Sequence, residues 1–151
     1  MGRALTKKKW TTTSEEETEA VGAGLVRDFA HLDPVFLLSG DLGAGKTVLV
    51  RGMGFGLSIP RRELQSPTYN LIHEHQGRGG RLVHVDLYRL DGAAAGEQLY
   101  GLGLDELLAL PGIKAIEWPD RLPERPPGAF DLEIKRRPGG RREILLTGPP
   151  R

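Results

Sequence analysis

The sequence contains no cysteine, which excludes disulfides, thiolate metal sites and cysteine nucleophiles. It also has almost no net charge, since 21 lysine and arginine residues against 20 aspartate and glutamate residues give +1. This balance provides little bulk attraction for nucleic acids or acidic membranes. Apolar runs such as residues 35–38 are far shorter than the roughly 20 residues of a membrane span. We therefore expect a soluble, cytoplasmic protein that binds neither DNA nor membranes.

Glycine, by contrast, is abundant, with 21 residues in a chain of 151. A chain of this length is typical of one domain, which we expect to span residues 1–151, with residues 1–9 as a flexible leader. Many glycines fall where turns are expected, at residues 77–80 and 139–140. A further run at Gly52, Gly54 and Gly56 lies inside a predicted helix, which it would weaken, so its expected purpose is close packing or an early end of the helix.

Hydrophobic periodicity predicts alternating strands and helices. A short strand at residues 10–12 precedes a helix that begins with the capping-box pattern of Ser14 and Glu17 and runs to about His31. The remaining predicted strands are residues 35–38, 69–75, 82–88, 113–117, 131–137 and 142–147, and the remaining predicted helices are residues 47–56 and one or two segments within 97–110.

Residues 40–47 match the phosphate-binding loop pattern in full and lie between a predicted strand and a predicted helix. Glycines allow the backbone amides to surround phosphate oxygens, and the following helix presents its positive end. Lys46 would reach the β- and γ-phosphates, while the Thr47 hydroxyl would bind magnesium. The predicted nucleotide-binding residues are Gly40, Asp41, Leu42, Gly43, Ala44, Gly45, Lys46 and Thr47.

The base is predicted from what the sequence lacks. Switch-type GTPases read guanine through an Asn-Lys-x-Asp element, and the one asparagine of this chain, Asn70, is followed by leucine. ATP is therefore the favoured nucleotide, with Mg²⁺ as its cofactor.

Two carboxylates are candidates for handling the metal and the attacking water. Alternation along residues 82–88 places His84, Asp86 and Tyr88 on one face of a strand. Glu117 ends another apolar strand, at the position where doubly wound sheets bind ligands. Sequence does not decide which of Asp86 and Glu117 is the Walker-B-type acid.

Other residues have two interpretations. Thr68, within Ser66-Pro67-Thr68, either contacts the γ-phosphate and magnesium as a switch residue or simply belongs to a turn that leads into the next strand. His73 and His75 share a strand face and could ligate a metal, but no third ligand is evident, so the histidines are expected to be structural or exposed. Trp118 is expected in the core or at its rim more often than against a base. The arginines around residues 136–142 are expected to be solvated, with contact to phosphate, tRNA or a partner protein as the alternative.

Taken in order, these motifs resemble the TsaE family of bacterial ATPases, formerly YjeE. The resemblance covers residues 14–147 and depends on the phosphate loop followed by Arg51-Gly52, Ser66-Pro67-Thr68-Tyr69, His84-Val85-Asp86-Leu87-Tyr88-Arg89-Leu90 and Glu117-Trp118-Pro119. It implies a P-loop NTPase-like three-layer α/β fold with a mixed, mostly parallel central sheet and a C-terminal hairpin. It also implies slow, partner-stimulated ATP hydrolysis that supports tRNA threonylcarbamoyladenosine modification by the TsaB–TsaD heterodimer, with tRNA contacted indirectly or weakly.

The resemblance also assigns roles. Lys46 matches the phosphate lysine, Thr47 the magnesium ligand and Thr68 a switch-like threonine. Asp86 matches an acidic residue required for activity and Glu117 an acid near magnesium, so Lys46, Asp86 and Glu117 are the expected catalytic set, and Thr47, Asp86 and Glu117 the expected metal set. Trp118, Glu15 and Arg141 are expected near the nucleotide.

Two alternatives remain open at the level of sequence. One is a small-molecule P-loop kinase, although no lid segment or acceptor pocket is evident. The other is a nucleotide-gated binding module without significant hydrolysis, in which Asp86 and Glu117 only hold magnesium.

Overall fold

The computed structural model describes residues 5–64, 71–90, 95–101 and 103–149. In these ranges seven strands form one sheet, in the order β1-β7-β6-β2-β5-β4-β3. The strands are β1 (Thr6–Thr12), β2 (Val35–Ser39), β3 (Ile72–Gly77), β4 (Gly80–Asp86), β5 (Ile113–Glu117), β6 (Phe130–Arg137) and β7 (Arg141–Gly148), and the helices are α1 (Glu15–Phe29), α2 (Lys46–Gly56), α3 (Ala95–Gly101) and α4 (Leu104–Ala109).

The sheet is mixed, with parallel pairing in its middle. The pairs β6–β2, β2–β5 and β5–β4 are parallel, whereas β1–β7, β7–β6 and β4–β3 are antiparallel. A turn at Pro138–Gly140 joins β6 to β7, which confirms the expected C-terminal hairpin. The parallel arrangement brings the carboxyl ends of β2, β4 and β5 to one edge of the sheet.

Alternation along the central strands divides the apolar side chains between two cores. On β2, Phe36 and Leu38 enter one core with side chains of α1 and α2. Val35 and Leu37 enter the other core, with side chains of α3 and α4. The sheet is therefore covered on both faces, which confirms the three-layer P-loop NTPase-like fold.

The glycines of α2 allow it to pack closely on α1. A Cβ on Gly52 would collide with the backbone of Glu19, and one on Gly22 would collide with the Leu49 carbonyl. A Cβ on Gly54 would lie 2.5 Å from the Leu64 side chain, and one on Gly56 would lie 3.0 Å from the Cβ of Val26 on α1. The glycines that weaken α2 as an isolated helix thus make room for α1 at Gly52 and Gly56, and for the Leu64 side chain at Gly54.

The start of α1 follows the predicted capping box. The Ser14 side chain accepts a hydrogen bond from the Glu17 amide at 3.1 Å, and the Glu17 carboxylate accepts one from the Thr13 amide at 3.0 Å. These bonds satisfy amides that the first helical turn leaves without partners. They also fix where β1 turns into α1.

The expected flexible leader was wrong for residues 6–9. These residues form the first part of β1, which pairs along its whole length with β7. The strand alternates, with Lys7 and Lys9 exposed and Lys8 reaching Asp28 on α1. Lysines are tolerated on an edge strand because their long side chains reach solvent while the backbone pairs with the neighbouring strand. A run of lysines is therefore compatible with a strand, although it was interpreted as a flexible segment.

Candidate functional site

The loop between β2 and α2 has the backbone conformation of a phosphate cradle. Gly40, Gly43 and Gly45 all have positive φ angles, of 153°, 75° and 117°. At Gly40 a side chain would also meet the Ile134 carbonyl, at 2.5 Å from its Cβ. Residues with a Cβ rarely adopt such angles, so the glycine positions of the motif are required by the loop itself. Helix α2 begins directly after the loop at Lys46.

Lys46 is folded back into the loop and almost entirely buried. Its ammonium group donates hydrogen bonds to the carbonyls of Gly40 and Asp41, the latter at 3.2 Å. The Trp118 ring lies over it, with 4.1 Å between Nζ and the ring centroid. Burial lowers the pKa of Lys46, an effect opposed by the nearby carboxylates of Glu117, Asp86 and Asp41.

Thr47 and Glu117 meet at the edge of the sheet. The Thr47 hydroxyl lies 3.3 Å from each of the two carboxylate oxygens of Glu117. Glu117 is 3% exposed and ends β5, which is hydrogen-bonded to β2. A hydroxyl and a carboxylate are hard oxygen ligands, and Mg²⁺ typically takes one or two carboxylates together with water and phosphate oxygens. This pair therefore fits a nucleotide-associated Mg²⁺ ion.

Glu117 has a second buried partner in His84. The His84 Nε2 atom lies 2.5 Å from Glu117 Oε2, and His84 is 7% exposed. Since residues alternate along β4 and β5, His84 and Glu117 both point to the face of the sheet that α2 covers. The glutamate is thus held between α2 and β4.

Asp86 lies beside Glu117 but bonds differently. The two residues are register partners on β4 and β5. The Asp86 carboxylate accepts a hydrogen bond from the Tyr88 amide at 3.0 Å, in the turn that follows β4. The negative charge of Asp86 raises the pKa of Lys46 and so opposes the effect of burial. Asp86 is therefore at the edge of the cradle, more exposed than Glu117.

Trp118 leaves β5 in a left-handed conformation, with φ 60° and ψ 53°. This turn brings its ring against Lys46 on one side and Tyr88 on the other, with 5.2 Å between the Trp118 and Tyr88 ring centroids. Arg121 donates hydrogen bonds to the carbonyls of Leu87, Tyr88 and Leu90, which ties the turn after β4 to the turn after β5. Both turns belong to the rim of the cradle.

A cleft of about 250 Å³ adjoins the phosphate loop on the side of α1. The turn before α1 forms one wall, and the hairpin turn after β6 forms the other. Glu15 lines this cleft, whereas Arg141 turns its guanidinium back to the Pro138 carbonyl and its neighbour Arg142 lines the cleft instead. The lining residues are Thr13, Ser14, Glu15, Thr18, Gly43, Gly45, Val48, Gly140 and Arg142.

The sequence and the fold of this chain are similar to those of known proteins. The family model described as "Threonylcarbamoyl adenosine biosynthesis protein TsaE" matches residues 12–144. This chain belongs to the TsaE family. A tRNA threonylcarbamoyladenosine biosynthesis protein TsaE of Bacillus subtilis is 38% identical over 140 residues, covering 92% of this chain and 84% of that protein. Its counterpart in a Nostoc species is 40% identical over 116 residues, covering 75% and 69%.

A solved structure supports the same assignment. The crystal structure of Bacillus subtilis YdiB superposes with a TM-score of 0.67 at 29% sequence identity, covering 97% of this chain and 88% of that one. The P-loop NTPase-like fold therefore rests on sequence and on structure.

The structure brings most of the predicted site residues of this TsaE-family chain together. The loop residues, Lys46, Thr47, Asp86, Glu117 and Trp118 share one edge of the sheet, and Glu15 lies in the adjoining cleft. Thr68 lies outside the described residues. In the part of the chain that the structure describes, no group of three or more His, Asp or Glu side chains is placed to hold a metal ion.

Sequence reasoning missed two contributors. His84 was expected to be structural or exposed, although it shares the strand face of Asp86, which is the signal that could have found it. Arg136 was expected to be solvated, but its guanidinium donates a hydrogen bond to the Leu42 carbonyl at the tip of the phosphate loop. Among the described helices, none is long and apolar enough to cross a membrane.

Proposed function

We propose that this chain is a Mg²⁺-dependent ATPase that acts in tRNA threonylcarbamoyladenosine biosynthesis with a TsaB–TsaD heterodimer as its partner. The observation that carries the ATPase part is the contact of Thr47 with Glu117 beside Lys46. Membership of the TsaE family supports the pathway.

The phosphate loop would bind the nucleotide through its backbone. The positive φ angles of Gly40, Gly43 and Gly45 leave the amides at the start of α2 free to face phosphate oxygens. Lys46 would exchange the carbonyls of Gly40 and Asp41 for phosphate oxygens, which bond to an ammonium group more strongly because they are charged. The cleft beside Gly43 and Gly45 would take the nucleoside, with Glu15 on its wall.

Thr47 and Glu117 would hold Mg²⁺, which when bound supplies positive charge against the transferring phosphoryl group. Glu117 is the better candidate ligand because both of its oxygens already face Thr47. Asp86 is only partly exposed at the rim, and among the described residues it makes no hydrogen bond to Thr47, so it is the candidate for orienting the attacking water. Thr68 is proposed as a γ-phosphate contact on the basis of the motif alone.

The partner proposal follows from charge and family. A net charge of +1 gives little basis for capturing tRNA alone, so contact with tRNA would be weak or pass through the heterodimer. A cytoplasmic location is proposed from membership of a family that is named for tRNA modification.

The decisive experiment measures repeated turnover of threonylcarbamoyl transfer by TsaB–TsaD with ATP and substrate tRNA, in the presence and absence of this chain. We expect multiple turnovers only when the chain is present, and loss of that effect with Lys46→Ala. Failure to bind the heterodimer in any nucleotide state would contradict the partner proposal. Robust phosphorylation of a nucleoside or small acid without partners would favour a kinase instead, and binding without stimulated hydrolysis would favour a nucleotide-gated module.

A further inference from the structure

We propose that His84 is a positioning residue of the magnesium site, acting through Glu117. The Nε2–H group of the imidazole donates a hydrogen bond that holds the glutamate carboxylate against Thr47. This inference rests on the proposed function, because the Mg²⁺ role of Thr47 and Glu117 is part of that proposal.

The contact is short and buried on both sides. His84 Nε2 lies 2.5 Å from Glu117 Oε2, and the two residues are 7% and 3% exposed. A carboxylate oxygen can only accept hydrogen bonds, so at this distance the Nε2 atom of His84 must carry the hydrogen and act as the donor. A buried carboxylate without such a donor would be costly, and His84 supplies it from the neighbouring strand.

The geometry points to orientation of the carboxylate as the main effect. The same Oε2 atom that accepts from His84 lies 3.3 Å from the Thr47 hydroxyl, and Oε1 lies at the same distance from that hydroxyl. The carboxylate therefore has both oxygens directed at Thr47 while the imidazole contacts it from β4. Without the imidazole, a terminal carboxylate rotates freely, since this torsion has only a broad preference.

The strand pattern explains why a histidine fits at this position. Leu82 and His84 alternate with Val83 and Val85, so His84 occupies a core position on the α2 side of β4. Asp86, two residues later, reaches the exposed rim on the same side and is the register partner of Glu117. On the other side of β4, His73 of β3 is the register partner of His84. Strand β4 thus supplies one buried polar group, His84, and one partly exposed polar group, Asp86, to the same site.

The test measures the affinity for ADP by titration calorimetry, once with Mg²⁺ and once with EDTA, in the full chain. His84→Leu fills the volume without a donor, and His84→Gln provides an amide N–H near the position of Nε2. We expect His84→Leu to weaken the Mg²⁺-dependent affinity by about 10- to 100-fold, as is usual for residues that orient metal ligands. We expect both variants to keep the affinity measured in EDTA, and His84→Gln to recover most of the Mg²⁺ effect.

Two controls separate positioning from a loss of packing. His75→Ala changes a neighbouring histidine of β3 whose register partner is Leu82, and it should leave both affinities unchanged. In a Glu117→Ala background, His84→Leu should cause no further loss, because His84 acts through the missing carboxylate.

Three results would overturn the inference: equal Mg²⁺-dependent affinities for His84→Leu and wild type, equal losses for His84→Leu and His84→Gln, or additive losses with Glu117→Ala. These outcomes differ from failure of the proposed function, which would appear as a wild-type chain that binds no ADP or that binds it equally well with Mg²⁺ and with EDTA.

Discussion

The Thr47 hydroxyl lies 3.3 Å from both carboxylate oxygens of Glu117, a residue 70 positions later in the sequence. Thr47 belongs to the first turn of α2, and Glu117 ends β5. Strand β5 pairs directly with β2, so the end of β5 lies next to the phosphate loop that follows β2. This pairing decides which of the two candidate carboxylates touches the loop threonine.

Glu117→Gln should weaken nucleotide binding only when Mg²⁺ is present. The amide keeps the shape of the side chain but removes the charge that favours a divalent cation. We expect a loss of about 10-fold or more in Mg²⁺-dependent ADP affinity, which corresponds to ~1.4 kcal/mol. Titration calorimetry with Mg²⁺ and with EDTA measures the two affinities.

Asp86→Asn is the matched control for that substitution, since it makes the same chemical change in the register partner of Glu117. We expect it to leave ADP affinity nearly unchanged while lowering the single-turnover hydrolysis rate with TsaB–TsaD present. A larger effect of Asp86→Asn than of Glu117→Gln on Mg²⁺-dependent affinity would reverse the proposed assignment of the two carboxylates.

Lys46→Ala should weaken ATP binding by about 10- to 150-fold, because a hydrogen bond to a charged group contributes roughly 1.5–3 kcal/mol. The substitution also removes the cation under the Trp118 ring, so the affinity should be measured by calorimetry instead of by fluorescence. Arg51→Ala changes a cation on the same helix that pairs with Glu15 and Glu19, and it should have a smaller effect. An unchanged ATP affinity in Lys46→Ala would rule out this loop as the binding site.

Gly22→Ala should destabilise the fold by about 1–3 kcal/mol, the usual cost of overpacking. Its Cβ would collide with the Leu49 carbonyl and lie 2.8 Å from the Met53 amide nitrogen, so α1 and α2 would have to move apart. The measurement is the free energy of unfolding from urea denaturation.

Gly24→Ala provides the comparison within the same helix. Its Cβ would meet only the end of the flexible Arg27 side chain, at 3.3 Å. Alanine stabilises a helix by about 1 kcal/mol relative to glycine, so Gly24→Ala should leave the free energy of unfolding unchanged or raise it. Equal destabilisation by the two substitutions would show that helix packing is not the cause.

Lys114→Met should destabilise the protein at the opposite end of the sheet. Lys114 is 2% exposed, and its ammonium group donates to the carbonyls of Asp33, Leu110 and Gly112, each at 2.9 Å. Because the substitution leaves these carbonyls without their hydrogen-bond donor, we expect the free energy of unfolding to fall by about 2–5 kcal/mol in total. Lys7→Met, at an exposed position of β1, is the control and should change the free energy of unfolding little.

The same lysine predicts a dependence on pH. Burial lowers the pKa of Lys114 in the folded protein, although Asp33 opposes the shift. Between that lowered pKa and the ordinary value of 10.5, the unfolded chain binds more protons than the folded one, so Lys114 makes the free energy of unfolding rise with pH. The stability difference between wild type and Lys114→Met should therefore widen as the pH approaches 10.5. A constant or narrowing difference in urea denaturation would contradict this.

Local patterns in the sequence determined most of the elements and the phosphate loop. The capping box of Ser14 and Glu17 placed the start of α1, and two apolar strands were recognisable at β2 and β5 because both of their faces are buried. The loop was predictable because its glycines are required by backbone angles that other residues rarely adopt. Only the end of β1 was predicted, because this edge strand is stabilised by pairing with the distant β7, and its run of lysines has no hydrophobic pattern that indicates a strand.

Tertiary structure alone decided the relations between distant segments. Sequence left Asp86 and Glu117 equivalent, and the strand order β2-β5-β4 brought Glu117 against Thr47. Likewise, the sequence predicted close packing or an early helix end at Gly52, but only the structure identified the Glu19 backbone of α1 as its neighbour. Only the structure located the bond between His84 and Glu117. Hydrophobic periodicity and turn chemistry act over a few neighbouring residues, so they can be recognised in the sequence. Strand order and helix packing are instead fixed by the burial of two hydrophobic cores at once, which brings together residues that are dozens of positions apart in the chain.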